Sequence, residues 1–119
     1  ARLRRGGYEQ DARRENETLQ LGDLSVNPVE RLVQRGDRAI ALSQREFDLL
    51  LFLVKHSGDV QSRQAILDAV WGDPFVGDPN TLDVYMGYLR KKVEIKGEAQ
   101  LLHTVRGVGF MARVGDPKA

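Results

Sequence analysis

The reading of this chain turns on Asn80-Thr-Leu-Asp-Val-Tyr-Met-Gly-Tyr-Leu-Arg-Lys-Lys-Val93. Leu82, Met86, Leu89 and Val93 recur at steps of four, three and four, the spacing that lines one face of a helix. At about 100° per residue the opposite face carries Asn80, Val84, Gly87, Tyr88 and Lys91, with Arg90 and Lys92 beside it. A solvated helix face usually alternates Glu and Lys. This face instead offers an amide, a branched apolar side chain, a phenol and a cation, a mixture suited to a polar, anionic surface. A nucleic-acid groove is such a surface.

On the C-terminal side, Glu94 to Gln100 is polar, holds Gly97 and reads as a turn. Leu101 to Val114 contains two β-rich segments flanking Arg106-Gly107-Val108-Gly109, the pattern of a hairpin. On the N-terminal side, Asp73-Pro74-Phe75-Val76-Gly77-Asp78-Pro79 is a loop by its prolines and glycine. Asn80 is expected as the N-cap of the helix that follows, with Asp83 favouring its positive end. Before the loop, a shorter helix runs from a Ser62 cap through Ile66, Leu67 and Val70 to Trp71, and Gly72 stops it.

Ser43 to His56 is the clearest helix, with Ser43 and Glu46 as a capping box and Leu42 and Phe47 as a hydrophobic staple. Phe47, Leu50, Leu51 and Val54 line one face, Leu49, Phe52 and Leu53 widen the apolar arc, and Gly58 ends the element. Thr18 to Leu42 reads as three or four antiparallel strands. Leu19, Leu21, Leu24 and Val26 alternate around Gly22-Asp23, Pro28 interrupts, Val29 to Arg35 resumes, and Gly36-Asp37 turns the chain into Ala39 to Leu42.

The bulk properties narrow the function classes. The 119 residues, 41% hydrophobic and 29% charged, suffice for one cored domain plus a tail. Absence of cysteine excludes disulfides and thiolate metal sites and fits a reducing compartment. The longest apolar run, Leu49 to Val54, is far too short to span a membrane, so the expectation is a cytoplasmic domain. Residues 1–17 mix arginines and acids around Gly6-Gly7 and read as an interdomain linker or flexible tail, as though cut from a longer protein. Residues 18–114 are the expected folded domain, and 115–119 the frayed end.

Net charge is only +1, but it is unevenly spread. Residues 59–79 carry four aspartates against Arg63, and residues 80–113 carry six bases against three acids. An acidic stretch followed by a basic one suggests two surfaces with different partners. The two histidines, His56 and His103, lie on different elements, and no Ser-His-Asp constellation, metal-ligand spacing or phosphate-loop lysine accompanies them. The expectation is a binding domain with no catalytic residue, cofactor or metal.

Strand meander, helix, helix, loop, helix and hairpin is the order of a helix-turn-helix followed by a wing, an α+β architecture. Four motifs in that order resemble one family. Leu42-Ser43-Gln44-Arg45-Glu46-Phe47-Asp48-Leu49-Leu50 is similar to its L-T-x-x-E-F-x-L-L helix, and Val70-Trp71-Gly72 to its V-W-G ending. Thr81-Leu82-Asp83-Val84 with Leu89-Arg90-Lys91-Lys92 is similar to its recognition helix, and Thr104-Val105-Arg106-Gly107-Val108-Gly109-Phe110 to its T-V-R-G-x-G-Y wing. The chain, over about residues 18 to 114, resembles the winged-helix effector domain of OmpR/PhoB-type response regulators.

That resemblance implies sequence-specific binding of promoter DNA and control of transcription, with helix 80–93 in the major groove and wing 102–113 at the minor groove. Head-to-tail dimers on direct-repeat half-sites are implied, as is an upstream receiver domain phosphorylated on an aspartate by a sensor kinase. The DNA-contacting set so implied is Asn80, Thr81, Val84, Tyr85, Tyr88, Arg90, Lys91, Lys92, Thr104 and Arg106. Val84 suits a thymine methyl, and Arg106 the negative potential of a narrow minor groove. Gly107 and Gly109 are then turn formers that let the wing backbone approach the duplex. Loop 73–79 matches the family's transactivation loop, which makes Trp71, Asp73, Phe75 and Asp78 candidates for contact with RNA polymerase. Against this, the loop also suits a plain connector, and Trp71 suits the core.

Asn80, Tyr85, Gly87 and Tyr88 stand where many members carry basic residues or histidine, so base preferences do not transfer from relatives. Fewer cations predict a shallower salt dependence. Gly87 costs about 1 kcal/mol of helix stability relative to Ala, and close approach of a backbone is the expectation for it. The rival reading is a winged helix used only for protein contacts.

Overall fold

The computed structural model describes residues 18–115, and the linker and most of the terminal segment expected from the sequence lie outside them. Strands β1 (Leu19–Leu21), β2 (Leu24–Asn27), β3 (Leu32–Arg35) and β4 (Arg38–Ile40) open the chain. Helix α1 (Gln44–Lys55), strand β5 (Gln61–Ser62), and helices α2 (Arg63–Trp71) and α3 (Asn80–Val93) follow, before strands β6 (Leu102–Val105) and β7 (Gly109–Ala112). The first four strands form an antiparallel meander, and a second sheet has the order β5-β7-β6. Three helices packed between two small sheets give the α+β winged helix expected from the sequence.

Alternation places each meander strand in its sheet. Val26 pairs with Val33 and Val33 with Ile40, a row of buried side chains turned toward the helices. Leu32 falls opposite Asn27 on the outer face and is 60% exposed. The third strand is shorter than Val29 to Arg35. The Asn27 side-chain oxygen accepts from the backbone N–H of Val29 at 3.0 Å and of Glu30 at 2.8 Å, and Arg31 has φ 57°. The side chain of Asn27 thus closes a turn through Arg31, and pairing resumes only at Leu32.

Helix α1 has the predicted capping box: Ser43 Oγ accepts from Glu46 N at 3.2 Å, and Glu46 Oε1 accepts from Ser43 N at 2.9 Å. Ser62 caps α2 by accepting from Ala65 N at 3.0 Å. The start of α3 differs from expectation. Asn80 is the first helical residue, and Pro79 before it already has helical dihedrals and no side chain to cap with. Asp78 supplies the acceptor, its Oδ1 lying 2.9 Å from Asn80 N. A proline suits this place because it lends φ and needs no N–H partner.

The four apolar residues of the opening stretch are all at most 1% exposed, in one core with Phe47, Leu50, Ile66 and Leu67. The far end of α3 is held by the meander. Arg38 donates to the carbonyls of Lys92 at 3.0 Å and Val93 at 3.1 Å, and buried Arg35 to those of Val93 at 3.3 Å and Ala99 at 2.9 Å. Two guanidinium groups thus satisfy carbonyls that a helix C-terminus leaves open, where a cation also complements the dipole. Nothing in the sequence pattern had assigned the meander this part.

Candidate nucleic-acid interface

Because the apolar row of α3 is buried, its opposite row is presented outward. Asn80, Val84, Tyr88 and Lys91 are exposed, Val84 at 40% and Tyr88 at 48%. Val84 is therefore no core residue, in agreement with its helical phase. Thr81 is half-buried at the edge of this row. A Cβ at Gly87 would meet nothing within 4 Å. No backbone of the domain approaches Gly87, so the fold itself gives no reason for a glycine there.

The remaining predicted contacts are drawn toward neighbouring elements. Arg90 leans to the wing, where its Nη2 donates to Thr104 Oγ1 at 2.8 Å and its guanidinium stands 5.7 Å from the Phe110 ring centroid. Its Nε is buried without a hydrogen-bond partner. From α2, Arg63 stands 5.7 Å from the same ring and grips the Asp83 carboxylate with both terminal nitrogens. Phe110 is thus the wing ring against which both α2 and α3 set a guanidinium. The Arg63 hydrogen bond holds the Asp83 carboxyl below its ordinary range, against a smaller opposing effect of burial. Asp83 therefore serves the junction as well as the helix dipole.

Lys92 leans the other way. Its Nζ donates to Glu46 Oε1 at 2.7 Å. Burial pushes the Glu46 carboxyl up, but the Lys92 ammonium and the Ser43 N–H and hydroxyl together hold it below the ordinary glutamate value. Tyr85 is half-buried and turned onto Trp71, with ring centroids 5.3 Å apart. Trp71 in turn lies half-buried at the edge of the core, neither wholly inside it nor free of it.

On the wing, Thr104 and Arg106 are exposed, and Val108 N–H closes the turn onto Val105 O at 3.0 Å. Gly107 sits in that turn at φ 77° with open space around it. Gly109 has a different reason to lack a side chain. A Cβ there would lie 1.9 Å from Gln61 O, because β5 pairs with β7 at Ser62↔Gly109. Its role is inside the fold, not toward a duplex as the wing motif suggested. Among the described residues, Lys91 and Arg106 have neither an ion pair nor a side-chain hydrogen bond, whereas Arg90 is taken by Thr104 and Lys92 by Glu46, so these two remain the free cations of this surface. Sequence reading missed Arg63, Phe110 and Glu46 as supports of the surface. Only the capping box marked one of them.

In the loop, Asp73 and Asp78 are exposed, while Phe75 is half-buried with its N–H donated to Asp68 Oδ1 at 2.9 Å. The two histidines stay apart: the His56 ring lies tilted against Phe52 with centroids 4.6 Å apart, and buried His103 has Nε2 3.0 Å from Arg113 O.

The same arrangement recurs among known proteins. A family model described as "Transcriptional regulatory protein, C terminal" matches residues 37–112. The chain is 49% identical over 92 residues to the uncharacterized transcriptional regulatory protein YkoG of Bacillus subtilis (strain 168), covering 77% of this chain and 40% of that protein. It is 45% identical over 117 residues to the response regulator MprA of Mycobacterium ulcerans (strain Agy99), covering 98% of this chain and 50% of that one. It thus spans about half the length of such relatives. Among solved structures, the Klebsiella pneumoniae RstA DNA-binding domain, crystallised with the RstA box, superposes with TM-score 0.72 at 34% identity, over 82% of this chain and 97% of that one. DrrB of Thermotoga maritima, an OmpR/PhoB homolog, gives TM-score 0.74 at 29% identity, over 89% and 49%. With this fold, this wing and these relatives, the chain belongs to the transcriptional regulatory protein C-terminal family, the winged-helix effector domains of OmpR/PhoB-type response regulators.

Proposed function

We propose that this chain binds promoter DNA in a sequence-dependent manner and controls transcription as the effector half of a response regulator. The observation that carries this reading is the outward row of α3, Asn80, Val84, Tyr88 and Lys91, set beside a wing joined to it by the Arg90–Thr104 hydrogen bond. Helix α3 fills the major groove, where the Val84 methyls pack on a thymine methyl and Tyr88 hydrogen-bonds a base edge. Arg106 at the wing tip enters the adjacent minor groove. Lys91, Thr104 and Asn80 meet phosphates and fix the register. Support comes from the RstA domain, which was crystallised on its own DNA box and which this chain covers almost completely.

The wider assignments rest on the same membership. A receiver domain phosphorylated by a sensor kinase precedes the domain, joined by residues 1–17. Two copies bind direct-repeat half-sites head to tail. Trp71, Asp73, Phe75 and Asp78 border the surface that meets RNA polymerase, and the protein works in the cytoplasm on the nucleoid. With Lys92 held by Glu46 and Arg90 turned to Thr104, few cations are left for phosphates. Each phosphate neutralised contributes about −0.9 to the slope of log K against log salt, so with Lys91 and Arg106 as the free cations a slope of roughly −1 to −2 per domain is expected. Electrophoretic shifts of duplexes selected from random sequence, at several salt concentrations, test the reading. Saturable binding with that slope supports it. No binding to any duplex at low salt overturns it and leaves a module for protein contacts.

A further inference from the structure

Four aromatic rings run in unbroken contact from the α2–α3 loop to the outward face of α3. Phe75 meets Trp71 with centroids 6.5 Å apart and planes at 75°. Trp71 meets Tyr85 at 5.3 Å and 71°, and Tyr85 meets Tyr88 at 5.6 Å and 72°. All three contacts are edge-to-face, the arrangement that ring quadrupoles favour and that fixes orientation as well as distance. The first three rings are half-buried, and the last is 48% exposed.

Both ends of this row are anchored. At the loop end, the Phe75 N–H is held by Asp68, and the ring lies over Gly77, where a Cβ would come within 3.1 Å of it. The Trp71 indole is covered by the Arg45 guanidinium at 5.6 Å, and that guanidinium is itself tied to Val70 O. At the helix end, Tyr85 and Tyr88 are three residues apart and so share one strip of α3. A tyrosine on an exposed helix face with no neighbour would exchange among rotamers. Tyr88 has Tyr85 against one side, and Tyr85 cannot yield because Trp71 stands behind it.

We infer that Trp71 and Phe75 are positioning residues for base recognition: acting through Tyr85, they set where Tyr88 presents its phenol to the major groove. The inference rests on the DNA-binding reading above. It gives the loop a part in operator choice that is independent of whatever the loop's own surface touches. It also explains how a tyrosine pair can replace the more basic residues expected at positions 85 and 88. A single phenol hydrogen bond discriminates between bases only if the ring is held in place beforehand.

The test compares dissociation constants of the 119-residue chain for its selected duplex, for duplexes changed one base pair at a time, and for scrambled DNA. Tyr88→Ala first identifies the base pairs that Tyr88 reads. Phe75→Leu and Trp71→Phe should then lower discrimination at those same base pairs about three- to tenfold, the range given by loss of one edge-to-face pair. Affinity for scrambled DNA and the circular dichroism spectrum should not change, and Phe75→Tyr should restore discrimination. If Phe75→Leu and Trp71→Phe discriminate as the parent does, or weaken binding to all sequences equally, the positioning role is overturned. A parent chain that selects no sequence overturns the underlying DNA-binding reading instead. Should Phe75→Leu melt below the assay temperature, Trp71→Phe, whose smaller ring gives up the contact with either Phe75 or Tyr85 while still filling the site, decides alone.

Discussion

Replacing Gly109 by alanine should damage this domain more than any other single methyl group added to the wing. The added Cβ would lie 1.9 Å from Gln61 O and 2.9 Å from both Gln61 C and Ser62 Cα. A relaxed carbon–oxygen contact is about 3.3 Å, so the strands must part by roughly 1.4 Å. All three atoms are backbone, so no rotamer change relieves the clash. Strand β5 is paired to β7 only at Gln61↔Phe110 and Ser62↔Gly109, and separation at the second pair opens the whole ladder. Overpacking of about 1–3 kcal/mol, added to one or two backbone hydrogen bonds at about 1 kcal/mol each, gives roughly 2–5 kcal/mol. For a domain of this size that is a fall in Tm on the order of 10–25 °C. The disturbance also reaches Ser62, the cap of α2. Thermal melting followed by circular dichroism measures the loss, with Gly107→Ala as the comparison. There the Cβ meets nothing within 4 Å, and only the positive φ opposes it, at about 1 kcal/mol. A Gly109→Ala domain melting within about 3 °C of the parent, or above the Gly107→Ala domain, refutes the close-approach argument.

The other predictions concern the DNA-facing surface and acid stability. Gly87→Ala should stabilise the domain by about 1 kcal/mol, since the site is open and the helix gains propensity; a lower Tm would show a contact that the fold does not contain. Val84→Asp should leave the melting curve nearly unchanged and abolish preference for the selected duplex, whereas an unfolded variant would return Val84 to the core. Arg106→Ala should lose affinity mainly for sites with A·T-rich flanks, and a footprint equal to the parent's would remove the wing tip from the interface. Glu46 and Glu98 have folded pKa values below the ordinary glutamate value of 4.5. Their stabilisation is complete above that value and is lost as pH falls through the lower folded one. Glu46→Gln should flatten this acid limb in melts taken from about pH 5 downward, and an unaltered limb would exclude the Lys92 pair from it.

Much of the interface was legible because helix phase is a local property. Once the apolar row was assigned, Val84, Tyr88 and Lys91 had to point away from it, and the wing motif brought Thr104 and Arg106 beside them. Arg90, Lys92 and Tyr85 were legible only as residues flanking that row. Which neighbour each one joins depends on α1, α2 and the wing. Those neighbours are Thr104, Glu46 and Trp71 respectively, each at least 14 residues distant in the chain.

The sequence by itself determined the order of elements, the Ser43–Glu46 capping box, the Ser62 cap and the buried row of α3. All of these rest on interactions within about one helical turn or on the period of the helix, so they leave a trace in spacing. The tertiary structure alone decided that β5 joins the wing sheet and that Asp78 rather than Asn80 caps α3. It also decided that Arg35 and Arg38 close the far end of α3 across separations of 54 to 58 residues. A carbonyl left open at a helix end demands a donor, but it does not specify which. Only the packing of the meander against the C-terminus of α3 brings those two guanidinium groups within reach.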